Sequence, residues 1–313
     1  MEIRNVGKSG LRVSLVGLGC NNFGGRLDLA ATGRVVDRAL DAGITLFDTA
    51  DAYGNRGGSE TALGAALGER RKGIVLATKF GLAMDDAGTM KGSSRRYIMA
   101  AAEASLRRLK TDWIDLYQLH FPDPLTPMEE TLRALDDLLR QGKVRYIGCS
   151  NLTAWQVADA VWTSRHNGLE SFVCAQNEFS VLVRDPSAPL LPALDHYGMG
   201  LLPYYPLASG LLTGKYKRGQ PLPQGRLQAV PSWADRFLTE RNWSIVEQLE
   251  RFCADRNRSL VELAFGWLAS HSAVSSVIAG AMTADQIDAN VAAAQWRLLP
   301  EELAEVDGIA MAA

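Results

Sequence analysis

The sequence predicts a (β/α)8 TIM barrel with an N-terminal β-hairpin, a long loop after the seventh strand and extra C-terminal helices. Three observations lead there. Eight short apolar runs recur along the 313 residues, continuous rather than alternating, as in strands buried on both faces. Segments with helical spacing separate them. No break in composition marks a linker, so residues 1–313 are expected to form one domain. A doubly wound sheet is the competing arrangement, but its dinucleotide fingerprint is missing. Gly17-Leu18-Gly19 continues into Cys20-Asn21-Asn22 with no third glycine at the required spacing.

In chain order, Ile3–Val6 and Leu11–Ser14 flank Gly7-Lys8-Ser9-Gly10 and read as a hairpin. Gly7-Lys8-Ser9 is no P-loop, because the upstream glycine and preceding strand are absent. The strand runs follow at Leu15–Gly19, Ile44–Asp48, Ile74–Lys79, Ile114–His120, Val144–Asn151, Phe172–Asn177, Gly200–Pro206 and Ser275–Ala279. Thr126-Pro127-Met128-Glu129 reads as a helix start, with a Thr cap, a proline at the first helical position and a Glu able to close a capping box. Thr153 with Gln156, and Thr283 with Gln286, repeat that spacing, while Gly43 and Gly142 mark helix ends. Leu207–Asp235 interrupts the rhythm with Pro221, Pro223 and Pro231 and the basic residues Lys215, Lys217, Arg218 and Arg226. A connection this long is functional or mobile. Helices are expected at Trp243–Arg256, Ser259–Ser270 and Leu299–Ile309.

Composition narrows the partners. An apolar fraction of 47% suits a sizeable core, and a formal net charge of −2 leaves no electrostatic footprint for nucleic acid or an anionic membrane. No apolar run is long enough to span a bilayer, and the N-terminus lacks a signal-peptide apolar region. Cys20, Cys149, Cys174 and Cys253 are scattered without a Cys-x-x-Cys pair. Cys149 and Cys174 fall inside apolar strand-like runs and read as small buried hydrophobes, which fits a reduced, cytoplasmic protein without structural zinc.

The stretch Phe47-Asp48-Thr49-Ala50-Asp51-Ala52-Tyr53-Gly54 draws attention, because a buried strand runs straight into a carboxylate and then a phenol. In a barrel the C-terminal strand ends share one mouth. This chain would bring there Asp48, Lys79, His120, Ser150, Asn151, Gln176 and Asn177, with Tyr204 and Tyr205 within the seventh strand. Each alone is ordinary; together they form a site.

Asp48, Tyr53, Lys79 and His120, in FDTADAYG, ATKFG and LYQLHFPDP, resemble the catalytic tetrad of the aldo-keto reductases. GCSN at 148–151, AQNEFS at 175–180, PYYPLASGLLTGKY at 203–216 and AGAMTADQIDANV at 279–291 resemble that family's cofactor motifs in order, over nearly the whole chain. The Leu-Thr-Gly-Lys motif and the loop after it are closer to the bacterial and potassium-channel-β-like branch than to the mammalian steroid branch. The resemblance implies NAD(P)H-dependent reduction of an aldehyde or ketone to the alcohol. Tyr53 would be the general acid, Lys79 and Asp48 its electrostatic support, and His120 the group that orients the carbonyl. A lysine at roughly 4 Å contributes about 4 kcal/mol at an effective dielectric near 20, which would draw the phenol toward neutral pH.

Position by position, the resemblance puts Gly19, Cys20, Asn21 and Asp48 against the cofactor. Ser150, Asn151 and Gln176 would hold its carboxamide, and Tyr204 would stack on the nicotinamide. Tyr205, Pro206, Leu207, Ser209, Gly210 and Lys215 would follow the pyrophosphate. Gly280, Ala281, Met282, Gln286 and Asn290 would meet the adenosine end. NADPH is the expected cofactor, with NADH as the alternative. Three departures bear on this: Gly280-Ala281-Met282 offers no cation for a 2′-phosphate, Ala289 stands where the family often has Glu, and Tyr205 replaces a usual serine. Asn22, Phe23, Tyr53, Phe80, His120, Phe121 and Trp233 would line the substrate pocket, whose aromatic walls suit a small or aromatic carbonyl compound. Two rival readings are a nucleotide-binding regulatory subunit with little turnover and a Schiff-base lyase using Lys79.

Overall fold

The computed structural model describes residues 1–312. Strands β1 (Ile3–Asn5) and β2 (Arg12–Ser14) form the antiparallel hairpin. Eight parallel strands follow: β3 (Val16–Gly19), β4 (Leu46–Asp48), β5 (Val75–Phe80), β6 (Ile114–Leu119), β7 (Val144–Ser150), β8 (Cys174–Gln176), β9 (Gly200–Leu201) and β10 (Val277–Gly280). They pair in chain order from β3 to β9, with β10 beside β3. Parallel bridges Leu201↔Val274 and Tyr204↔Ile278 join the other edge to the β10 segment and close the barrel. A doubly wound sheet has no such closure.

Helices α1 (Leu29–Asp41), α2 (Tyr53–Leu67), α3 (Arg95–Leu109), α4 (Met128–Arg140), α5 (Ala154–Asn167) and α6 (Leu190–Tyr197) connect successive strands. Beyond β9 come α7 (Arg226–Ala229), α8 (Pro231–Phe237), α9 (Glu240–Ala254) and α10 (Leu260–Ala269), then α11 (Ala284–Ala293) and α12 (Pro300–Ala312) after β10. None of the described helices is long and apolar enough to cross a membrane.

Local expectations fared unevenly. Gln156 closes its capping box on the Thr153 backbone N–H at 2.9 Å, and Gly43 and Gly142 take the left-handed conformation at their helix ends. The box expected at Thr126 does not form. Its hydroxyl donates to Asp123 Oδ2 at 2.8 Å, and Glu129 pairs with Arg133. At Thr283 only half a box exists, because the Gln286 carboxamide accepts from Met282 N–H instead. The seventh strand is two residues long, so Tyr204 and Tyr205 lie beyond it; Pro203, lacking an N–H, interrupts the ladder. The 207–235 stretch carries a 3-10 turn at Ala208–Thr213 before α7 and α8.

The hairpin explains why the barrel opens at one end only. Val6, Leu11 and Val13 pack against Leu46, Ala77, Leu116, Cys174, Leu202 and Ile278 and fill the lumen with apolar side chains. Truncating such a residue, Leu116→Ala for instance, costs roughly 2–5 kcal/mol.

Candidate active site

Residues i and i+2 of a strand share a face. One pleat above Leu46, Ala77, Leu116 and Cys174, the same strands therefore present Asp48, Lys79, Gln118 and Gln176. All four are buried. A polar floor thus rests on an apolar plug.

That floor is organised around Asp48. Lys79 Nζ donates to Asp48 Oδ2 at 2.6 Å and to the Thr49 carbonyl at 2.9 Å. Gln118 Nε2 and Gln176 Nε2 donate to Oδ1 at 3.1 and 3.0 Å. A charge pair out of water is tolerable only when its remaining lone pairs are met, and here they are.

Tyr53 sits on this floor because of a sharp turn. Gly54 adopts φ +64°, and a Cβ there would come within 2.6 Å of the Phe23 carbonyl. The turn is tied down by Tyr53 N–H on Ala50 O at 3.2 Å and Asp51 N–H on Lys79 O at 3.1 Å. The Lys79 ammonium stands 5.1 Å from the centre of the Tyr53 ring, and the His120 ring meets that ring edge-on at 5.6 Å. Tyr53 and His120 line a cavity of about 1070 Å³; Lys79 lies beneath it.

Electrostatics set the resting charge state. Burial pulls the Lys79 ammonium down, but Asp48 and Tyr53 outweigh it, and its pKa ends above the usual value. Burial pushes Tyr53 up, Lys79 pulls it down and Asp48 pushes again, for a net rise. The expectation that Lys79 alone would bring the phenol toward neutrality is therefore corrected: Asp48 at 2.6 Å offsets much of the lysine's field, and burial resists a phenolate. At neutral pH the phenol keeps its proton beside a charged lysine. Burial, then the Lys79 charge, drives His120 down to about 3, so the imidazole is neutral. Its Nδ1 is buried without a partner.

On the neighbouring rim, Ser150 Oγ donates to the Gln176 carbonyl at 2.7 Å and Asn151 Nδ2 to the His120 carbonyl at 3.0 Å. Tyr204 donates to Asn151 Oδ1 at 2.8 Å. Tyr205 contacts Tyr204 and Trp233 edge-on, each at 5.0 Å, and the Arg226 guanidinium lies 5.0 Å from the Tyr205 ring.

With this arrangement in place, residues 15–311 match the model of the aldo/keto reductase family. The chain belongs to the aldo/keto reductase family. Relatives include a protein named probable voltage-gated potassium channel subunit beta from rice, 35% identical over 99% of this chain and 96% of its own. One of the same name from Arabidopsis thaliana is 36% identical, over 94% and 91%. An uncharacterized oxidoreductase, YrpG, of Bacillus subtilis is 34% identical, over 99% and 96%.

Most positions singled out by the aldo/keto reductase motifs gather at the cavity. Gly19, Cys20, Asn21, Asn22, Asp48 and Tyr53 line it from the first two strand ends, and His120, Phe121, Ser150, Asn151 and Gln176 from the middle ones. Tyr204 to Leu207, Ser209, Gly210, Lys215 and Trp233 form another wall, closed by Gly280, Met282 and Gln286. Besides Lys79, which lies beneath it, four positions do not line it. Phe80 follows Lys79 in β5 and so faces outward, 4.8 Å from the Tyr117 ring. Phe23 is wholly buried in the core, as is Ala281. Asn290 lies on the inward face of α11 with Ile287 and Ala293. The aromatic character expected of the walls is also incomplete, because Arg26, Arg226, Arg236 and Glu178 line the cavity too.

The sequence reading missed Gln118, although a polar residue two before His120 in an apolar strand was a readable signal. It missed Glu178 and Arg236 as well. They pair at 2.8 Å across 58 residues, a contact no local pattern reveals.

Proposed function

We propose that this chain is an NADPH-dependent carbonyl reductase, with Tyr53 as general acid. The observation that carries the reading is a protonated phenol on the cavity wall, backed by a buried Lys79–Asp48 pair and flanked by a neutral His120.

The cavity suits a dinucleotide. Arg226 lines it without a carboxylate partner among the described residues, next to Lys215, and the buried Ser209 hydroxyl has no hydrogen-bond partner. These are donors of the kind that hold phosphate. Lys215, Ser209 and Arg226 would hold the pyrophosphate, the Tyr204 face the nicotinamide, and Asn151 and Gln176 its carboxamide. When bound, the reduced nicotinamide supplies a hydride to the carbonyl carbon. Tyr53 gives its proton to the carbonyl oxygen as negative charge develops there. The Lys79 ammonium stabilises the phenolate left behind, so the lysine acts on the product of proton transfer more than on the resting acid. Asp48 keeps that ammonium charged and fixed. His120, neutral, donates from Nε2 to the same oxygen and sets the angle of approach.

A lyase using Lys79 as an amine nucleophile fits poorly. The group is fully buried, held by Asp48 and stabilised as the ammonium, the wrong form for attack. The relatives named as potassium channel subunits keep a second reading in view, a nucleotide-binding regulatory subunit with little turnover. One experiment separates the two. The wild type should reduce 4-nitrobenzaldehyde with NADPH, and Tyr53→Phe should abolish turnover while binding the cofactor normally. Cofactor binding without turnover of any aldehyde in the wild type would favour the regulatory reading.

A further inference from the structure

Asp51 lies in the turn between Asp48 and Tyr53, is 1% exposed, and has no part in the mechanism above. Its Oδ2 is 3.1 Å from the Tyr97 hydroxyl, and its Oδ1 has no partner. The same hydroxyl lies 3.4 Å from the Leu82 carbonyl. A phenol has one proton to donate, so Tyr97 serves only one of these acceptors at a time. With Asp51 ionised, Tyr97 donates to the carboxylate and the Leu82 carbonyl is released. With Asp51 protonated, the acid donates to the Tyr97 oxygen and Tyr97 donates to Leu82, giving an unbroken chain.

The chain would join two segments at the mouth of the barrel. Asp51 belongs to the turn that delivers Tyr53. Leu82 is the second residue of the 81–93 segment, which leaves β5 just after Lys79 and Phe80. The base of that segment is closed by Gly92 N–H on the Gly81 carbonyl at 2.9 Å, and a Cβ on Gly81 would sit 4.0 Å from the His120 backbone nitrogen. The Asp51 backbone is held to the Lys79 carbonyl in either state.

Charged and titratable groups face Asp51 from each neighbouring element: Glu60 on α2, Tyr97 and Arg108 on α3, and Tyr117 on β6, with Asp85 of the 81–93 segment facing Tyr97. Arg108 donates to Glu60 at 2.6 Å and Thr78 does the same, which leaves Asp51 without a cation of its own. Burial first, and Glu60 second, carry the Asp51 pKa up to about 7, while Tyr97 and Arg108 pull it down.

We propose that Asp51 is a positioning residue: its protonated form, through Tyr97 and Leu82, ties the 81–93 segment to the turn bearing Tyr53, and its ionised form lets that tie open. The tie is closed below about pH 7 and opens above it. Only its consequence for catalysis rests on the reductase reading.

Amide hydrogen exchange of the full chain, corrected for intrinsic pH dependence, tests this at Met84 and Gly92, whose N–H groups close the segment. Between pH 6 and pH 8 the wild type should lose about tenfold protection there, the scale of one hydrogen bond. Asp51→Asn, whose amide N–H replaces the acid proton, should keep its protection at pH 8. Tyr97→Phe should be poorly protected at both. In parallel, the ratio of kcat/KM at pH 6 to that at pH 8 with 4-nitrobenzaldehyde should be several-fold larger in the wild type than in Asp51→Asn. An Asp51→Asn protein that follows the wild-type exchange profile overturns the proposal, as does one unprotected at every pH or a Tyr97→Phe protein protected like the wild type. If no aldehyde is reduced by any variant, the reductase reading fails while the exchange result still decides the tie.

Discussion

Lys79 Nζ and Asp48 Oδ2 lie 2.6 Å apart in the buried floor of the cavity, and everything above them depends on that pair. Removing one partner strands the other charge. Lys79→Met should lower stability by about 3–5 kcal/mol, the usual cost of a broken buried pair. It should also lower kcat more than a thermal melt would explain. A melt near the wild-type Tm would show that the pair contributes little to the fold.

His120 makes the protein acid-sensitive. Its folded pKa of about 3 lies below the ordinary 6.5, so the stability it contributes is complete above about pH 6.5 and falls as pH drops toward 3. At pH 4.5, two units into that window, the loss is about 3 kcal/mol. His120→Gln should narrow the difference in Tm between pH 7.5 and pH 4.5. An unchanged difference would place the acid sensitivity elsewhere.

Asp51 acts in the opposite sense. A folded pKa of about 7 against 3.8 means that stability is lost as pH rises from about 4 to 7 and stays low above that. Asp51→Asn should therefore be neutral near pH 4 and stabilising at pH 8, by up to about 4 kcal/mol. Urea denaturation at the two pH values measures this directly.

Cofactor preference should be modest. Gly280, Ala281 and Met282 offer no cation to a 2′-phosphate, so NADPH should bind more tightly than NADH by less than about tenfold. Arg226→Ala should weaken both alike. Fluorescence titration with each reduced nucleotide provides the comparison; a hundredfold preference would require a cation from another part of the chain.

Gly24 should tolerate no side chain. Its φ is +64°, and a Cβ would meet the Gly58 backbone at 2.3 Å, where the loop after β3 packs on the turn after Tyr53. Gly24→Ala should cost at least about 1–3 kcal/mol and slow turnover by moving Tyr53. Calorimetry and kcat measured together test both effects.

The eight strands, their order and the polar residues at their ends were legible because they are local. Apolar runs, cap residues and glycines each act within a few positions, and a parallel barrel turns sequence order into spatial order. Asp48, Tyr53, Lys79 and His120 converge as soon as the barrel is assumed. Phe80 misled because a residue beside a functional one in a strand points the opposite way, and Phe23 because, in the loop after β3, it is buried in the core. The Thr126 cap failed because the helix starts one residue later, with Pro127 at the cap, and the Thr126 N–H goes to the Asp123 carbonyl.

By itself, then, the sequence determined the barrel, its family and most of the side chains that meet at its mouth, since strand alternation and chain order carry that information. Tertiary structure decided the charge states and the cross-chain partners. Burial and distance, which no local pattern encodes, leave Tyr53 protonated beside a charged Lys79, hold His120 neutral, pair Arg236 with Glu178 and place the Tyr97 hydroxyl between Asp51 and Leu82.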